Sequence, residues 1–246
     1  MLEIETYKEK NNEILSRYYP QNIISDGIIS PEDYIKREIK VMIINREPND
    51  SGKEYDLPDE VKKAIDGKKA PFGECRTFTK SIKNDLVLAT CLKDLEISRK
   101  EFEDKINKAD LPHLLKGIAI CNIKKTGGEG TVDWNEMFKA YDDNCSIILD
   151  QIEYYNPTII FSGNLVDKIF ERESGDFKWS ELDIRGEKYK FYICEIEKAE
   201  KKYLLVDLYH PSYPWLDGNV DYWYEVLCKL RDKKIDIRYH LERSKK

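Results

Sequence analysis

The sequence predicts an α/β fold: a three-layer α/β/α sandwich around a central, mainly parallel sheet of four strands. Three observations predict it. Four short apolar runs are rich in branched residues and mostly do not alternate with polar ones, the pattern of strands buried on both faces. The stretches between them carry apolar residues at helical spacing, and strands alternating with helices imply parallel pairing. Each run also ends in polar residues, as expected where ligands bind beyond the carboxyl ends of such strands.

In chain order, Ser30-Pro31-Glu32-Asp33 reads as a helix start, with a cap residue, Pro at the first helical position and acids in the first turn. The first run, Ile39-Lys40-Val41-Met42-Ile43-Ile44, ends in Asn45-Arg46-Glu47-Pro48-Asn49-Asp50. A helix is expected over 75–90. The second run, Gly117-Ile118-Ala119-Ile120-Cys121, ends in Asn122-Ile123-Lys124-Lys125-Thr126-Gly127-Gly128. Helical spacing over 132–155 leads to the third run, Thr158-Ile159-Ile160-Phe161, which ends in Ser162-Gly163-Asn164. The fourth, Tyr203-Leu204-Leu205-Val206-Asp207-Leu208, ends in Tyr209-His210-Pro211-Ser212-Tyr213, and a last helix is expected over 217–232. Without repeats or a low-complexity linker, the chain divides into one domain (39–232), a helical amino-terminal extension (1–38) and a basic tail (233–246).

Composition narrows the class. A chain of 246 residues with 41% hydrophobic content, 4 Trp, 16 Tyr and 8 Phe can bury a full core and is not of disordered composition. No apolar stretch approaches the roughly 20 residues of a membrane span, and the first segment lacks the apolar stretch of a signal peptide; the expectation is a cytoplasmic protein with no membrane partner. Six cysteines without a CxxC pair argue against structural zinc or a disulfide scaffold, and read as small core hydrophobes.

The strand ends resemble those of the uracil-DNA glycosylase superfamily. Its members share a short Pro-containing loop after one strand, a later strand ending in Asn, and a last strand ending in His-Pro-Ser; the counterparts here are Asn45-Arg46-Glu47-Pro48-Asn49, Ile120-Cys121-Asn122-Ile123-Lys124-Lys125 and His210-Pro211-Ser212. Ala70-Pro71-Phe72-Gly73 and Gln151-Ile152-Glu153-Tyr154-Tyr155-Asn156-Pro157 resemble segments of the iron–sulfur branch. The similarity spans roughly residues 39–230 with the motifs in order. Thr126 stands where that branch has a cluster cysteine and the amino-terminal Cys pair is absent, so no cluster and no other cofactor is expected. Glu47 stands where other branches place Asp, Asn or Ala, and Arg46 replaces the usual Gln or Glu.

The resemblance implies a monofunctional DNA glycosylase acting on DNA with an extruded base, with no obligate protein partner. Breaking a base–sugar bond builds positive charge on the sugar and negative charge on the base. Glu47 suits the first as a carboxylate that also orients water, and His210 the second as a donor. Asn122, with Asn45, suits reading of the base edge, and Phe72 offers a stacking plane. Tyr213 and Trp215 suit a wedge into the vacated stack, while Ser212 and Lys124 suit phosphate contacts. The Glu47 and Arg46 departures point to a larger or more polar base than plain uracil, and to defence against modified foreign DNA rather than housekeeping repair.

Blander alternatives accompany each residue. Glu47 reads equally as a solvated loop acid, Asn122 as a strand-end cap, Phe72 as ordinary core, and Tyr213 and Trp215 as packing under the last helix. His113 and His240 read as structural, Lys62, Lys63, Lys68 and Lys69 as a solvated face, and Gly127-Gly128-Glu129-Gly130 as a flexible turn lacking P-loop chemistry. At the level of the whole chain the alternatives are a non-catalytic module that binds nucleic acid, a nucleotide or a protein, and a hydrolase of free nucleosides or nucleotides. The net charge of −6 is unevenly spread: residues 62–83 hold seven basic side chains against two acids, and 229–246 eight against three. Two basic stretches on an acidic body fit a limited, salt-sensitive polyanion footprint.

Overall fold

The computed structural model describes residues 4–17, 23–48, 54–67, 80–94, 96–128, 132–166, 178–179, 184–185, 190–198, 201–209 and 219–232. The four apolar runs form β2 (Val41–Asn45), β3 (Ile118–Asn122), β4 (Ile159–Gly163) and β8 (Lys201–Leu208), parallel to one another in the order β3-β2-β4-β8. Every residue of β2, β3 and β4 is buried, as is β8 from Tyr203 onward, which is why these runs carry no polar alternation. Helices supply the crossovers that parallel strands need. They are α1 (Tyr7–Ser16), α2 (Pro31–Lys36), α3 (Leu57–Ile65), α4 (Lys80–Thr90), α5 (Arg99–Lys108), α6 (Leu111–Lys116), α7 (Trp134–Tyr155) and α8 (Val220–Asp232).

The sheet is wider than the four parallel strands. β1 (Gly27–Ile28) pairs antiparallel with β3 at one edge, β7 (Tyr192–Lys198) pairs antiparallel with β8 at the other, and β5 (Lys178–Trp179) and β6 (Ile184–Arg185) both pair with β7. The segment that the sequence sets apart as a helical extension thus holds α1 and α2 and also a strand of the sheet. A two-residue strand has no periodicity to read. Strand β7, in contrast, alternates apolar and charged residues over Cys194-Glu195-Ile196-Glu197, a signal of antiparallel pairing outside the four-run pattern.

One face of the sheet (Val41, Ile43, Ile118, Ile120, Phe161, Val206) packs under α3, α4, α5, α6 and α8 through Val61, Leu88, Phe102, Leu115 and Trp223. The opposite face (Met42, Ile44, Ala119, Ile160, Leu205) packs under α1, α2 and α7 through Tyr7, Tyr34, Tyr141, Ile148 and Ile152. This is the expected layering of helix, sheet and helix. Local signals set the helix ends. Ser30 caps α2 by accepting from Asp33 N with Pro31 behind it; Ser98 and Glu101 close a capping box on α5; Asp133 caps α7, which ends at Asn156 in the left-handed conformation. Cys91, Cys121, Cys145 and Cys194 are buried as small core residues. Among the described residues no helix is long and apolar enough to cross a membrane.

A fully buried polar network joins the amino-terminal segment to the sheet. Lys125 and Asp26, both with side chains at 0% exposure, pair at 2.7 Å. Gln151 of α7 accepts from Lys125 Nζ (2.7 Å) and donates to Asp26 Oδ1 (2.7 Å) and to the Tyr155 hydroxyl (2.9 Å). Tyr155 donates to Asn11 of α1, which donates to the Asp26 carbonyl (2.8 Å). Burial pulls the Lys125 pKa down, but the Asp26 charge and hydrogen bonds outweigh it and leave the ammonium more firmly protonated than usual. Gly27 (φ +150°) leaves room for the Tyr7 hydroxyl, which a Cβ there would overlap; that hydroxyl accepts from Ile28 N. Lys125→Met strands the Asp26 charge and should cost on the order of 3–5 kcal/mol, measured by urea denaturation.

Between α4 and α8, the buried Asp85 accepts from Trp223 Nε1 (2.6 Å). Burial pushes its pKa up from 3.8 to about 7, against the lowering effect of the Trp223 hydrogen bond. The folded state therefore holds this proton more tightly than the unfolded chain. Its stabilising contribution is complete below about pH 4 and lost as pH rises toward about 7. Asp85→Asn, which mimics the protonated acid, should remove that loss: the variant gains stability relative to the parent at pH 8 but not at pH 4, by at most a few kcal/mol at about 1.4 kcal/mol per pH unit, in paired denaturant titrations.

Candidate functional site

Because β2, β3, β4 and β8 are parallel, their carboxyl ends lie along one edge of the sheet. Asn45 and Asn122 close β2 and β3 as register partners, on neighbouring strands about 4.8 Å apart. By the alternation of strand side chains both belong to the face of Val41, Ile43, Ile118 and Ile120. Asn45 is 9% and Asn122 1% exposed. The Asn122 main-chain N–H donates to Asp26 Oδ2 (2.6 Å), the oxygen that also takes Lys125. Its side-chain Nδ2, in contrast, is buried and has no hydrogen-bond partner among the described residues. Leaving a buried amide donor unmade costs about 1–3 kcal/mol.

Beyond the strand ends, the loops after β2 and β3 are zipped together. Asn45 O accepts from Ile123 N (2.9 Å), Arg46 O from Lys124 N (2.9 Å) and Pro48 O from Gly128 N (2.8 Å). Glu47 lies between them. Lys124 Nζ sits 3.1 Å from Glu47 Oε2 and 2.8 Å from Glu136 Oε2, in the first turn of α7. The three side chains are 7% (Glu47), 17% (Lys124) and 63% (Glu136) exposed. Burial lowers the Lys124 pKa, and the hydrogen bonds and charges of Glu136 and Glu47 more than reverse this, so the ammonium is retained. Arg46 lies with its guanidinium 6.0 Å from the Trp134 ring centroid, a cation–π distance. An open groove of about 380 Å³ runs beside Lys124, Thr126, Glu136 and Lys139.

The polar residues after β4 have structural partners. Ser162 donates to Asp207 Oδ1 (2.6 Å), and Asp207 also accepts from Leu165 N (2.9 Å) and Val166 N (3.0 Å). Asn164 takes a positive φ of 60° and donates through its N–H to Leu208 O. The exit of β8 is held where Tyr209 N donates to the Tyr222 hydroxyl of α8 (2.8 Å). Phe72, His210, Ser212, Tyr213 and Trp215 lie outside the described residues.

Of the residues singled out in the sequence, Asn45, Glu47, Asn122 and Lys124 therefore meet at one edge. Lys124, expected against phosphate, is instead engaged by two carboxylates. Sequence reasoning missed Asp26 and Glu136, which nothing local distinguishes, and Gly128, taken as part of a flexible turn. A Cβ on Gly128 would overlap the Glu47 carboxylate. Among the described residues no cluster of three His, Cys, Asp or Glu side chains is placed to hold a metal. Compared with known proteins, the chain matches no family model and no curated sequence.

Gly128→Ala should displace the Glu47 side chain and cost about 1–3 kcal/mol, the usual penalty of overpacking. A shift in the urea midpoint checks the cost, and a crystal structure of the variant checks the displacement.

Proposed function

We propose that the protein is a monofunctional DNA glycosylase with a uracil-DNA glycosylase-like layout, hydrolysing the N-glycosidic bond of an extruded uracil-like or modified base and leaving an abasic site. The observation that supports this reading is the buried Asn122 side chain, whose Nδ2 has no hydrogen-bond partner among the described residues, beside Asn45 and at the same strand edge as the Glu47 carboxylate. A base presents in-plane acceptors and donors that two neighbouring carboxamides complement, and cleavage of its sugar bond needs a fixed negative charge close by.

In the proposed reaction the base leaves the stack and seats its pairing edge on Asn122 and Asn45, with Phe72 as its stacking partner. As the C1′–N bond stretches, Glu47 stabilises the cationic sugar and orients a water. The water oxygen bonds to C1′ and its proton passes to the carboxylate, while the electron pair of the broken bond leaves with the base, stabilised by a hydrogen bond from His210. Ser212 holds phosphate, and Tyr213 and Trp215 fill the gap. The longer Glu47 and the neighbouring Arg46 favour a larger or more polar base, and with it defence against modified foreign DNA in the cytoplasm. Residues 39–232 form the catalytic domain in this scheme, with 1–38 as its extension and 233–246 as a basic tail.

A second reading has one observation in its favour. Glu47 is already ion-paired to Lys124 and is only 7% exposed, as suits a non-catalytic module that grips a base or nucleotide. Release of labelled base from DNA containing uracil, hypoxanthine or hypermodified bases separates the two. On the glycosylase reading Glu47→Gln lowers turnover by about 100-fold or more while binding of abasic-analogue DNA persists. Folded, DNA-binding protein that releases no base from any substrate supports the module instead.

A further inference from the structure

We infer that Lys124 is a positioning residue for Glu47, acting through that carboxylate, and not a contact for DNA phosphate. The inference rests on the glycosylase reading for its catalytic consequence, but the seating of Glu47 stands on geometry of its own. Three features converge on this side chain. Lys124 takes Glu47 Oε2 at 3.1 Å. Gly128 leaves the space the carboxylate occupies. The Gly128 N–H bond to Pro48 O (2.8 Å) holds the two loops at that spacing.

Lys124 is also shared with a third side chain, Glu136, at 2.8 Å. Lys124 reaches Glu47 at Oε2, and the carboxylate is packed against Gly128. With two of its three N–H directions directed at carboxylates, Lys124 has little left for a phosphate. Its partners also differ in weight: the Glu47 pair is shielded from water, whereas Glu136 is 63% exposed and its pull is largely screened. Glu47 is therefore the partner whose geometry Lys124 governs.

The test combines kinetics, salt dependence and chemical protection on the full chain. Lys124→Met should lower kcat for base release on the order of a hundredfold, as expected when a reacting group is misplaced by about 1 Å, with KM for DNA nearly unchanged. Lys124→Arg should restore much of it, and Glu136→Gln should change kcat by only about threefold, as an exposed pair does. The slope of log affinity against log salt should be the same in Lys124→Met as in the parent. A raised KM with unchanged kcat, or a slope reduced by about one, would make Lys124 a phosphate contact and overturn the inference. Lys124→Gln carries the same expectations if the Met variant does not fold.

Should the parent release no base, the glycosylase reading falls and the positioning claim is judged separately. Carbodiimide coupling of an amine to accessible carboxylates, mapped by peptide mass spectrometry, should leave Glu47 protected in the parent, labelled in Lys124→Met and protected again in Lys124→Arg. Equal labelling in all three overturns it.

Discussion

The buried pair of Lys125 and Asp26 is the interaction on which the rest of the molecule hangs. Both ions are removed from water, and the desolvation of each costs several kcal/mol unless partners replace the lost hydration. Here they do: Asp26 takes Lys125, Gln151 and the Asn122 main-chain N–H, and Lys125 reaches Asp26, Gln151 and the Cys121 sulfur. These groups come from the segment before β1, the end of β3 with the loop after it, and the last turns of α7. One network thus fixes how the amino-terminal segment, the sheet edge and the longest helix meet. Removing one partner of such a pair leaves an uncompensated buried charge, so the network holds these elements together as a unit.

That network underlies the candidate site. Asp26 Oδ2 accepts from the Asn122 N–H, so the main chain at the end of β3 is held by the buried network. The Asn122 Nδ2 has no hydrogen-bond partner among the described residues. A rigid main chain carrying an unsatisfied side chain is the arrangement expected of a preorganised recognition group. Glu47 is held differently. It stands past the strand end, in a loop whose position comes from three main-chain bonds to the neighbouring loop and one ion pair.

Much of the fold is legible in the sequence because buried parallel strands write themselves as continuous apolar runs. The runs around Ile43, Ile120, Ile160 and Leu205 became the four parallel strands, and the Ser30-Pro31 start became a capped helix. β1 escaped because two residues carry no period. Gly128 escaped because a glycine in a polar loop looks the same whether it gives flexibility or makes room; only the Glu47 carboxylate packed against it separates the two. Asn45, Glu47 and Asn122 were found because the strand-end rule points to them, and the structure brings them to one edge as that rule requires.

The neighbouring lysines 124 and 125 show where sequence stops. By itself the sequence determined the strands, the caps and the edge at which polar residues gather, since these follow from local pattern and from the exclusion of water by apolar runs. From sequence, Lys124 is expected at a phosphate and Lys125 has no assigned role. The tertiary structure sent Lys125 to 0% exposure against Asp26, 99 residues earlier, and Lys124 to Glu47 and Glu136. The physical reason is that a desolvated charge is decided by its partner, and those partners are supplied by elements that only the folded chain brings together.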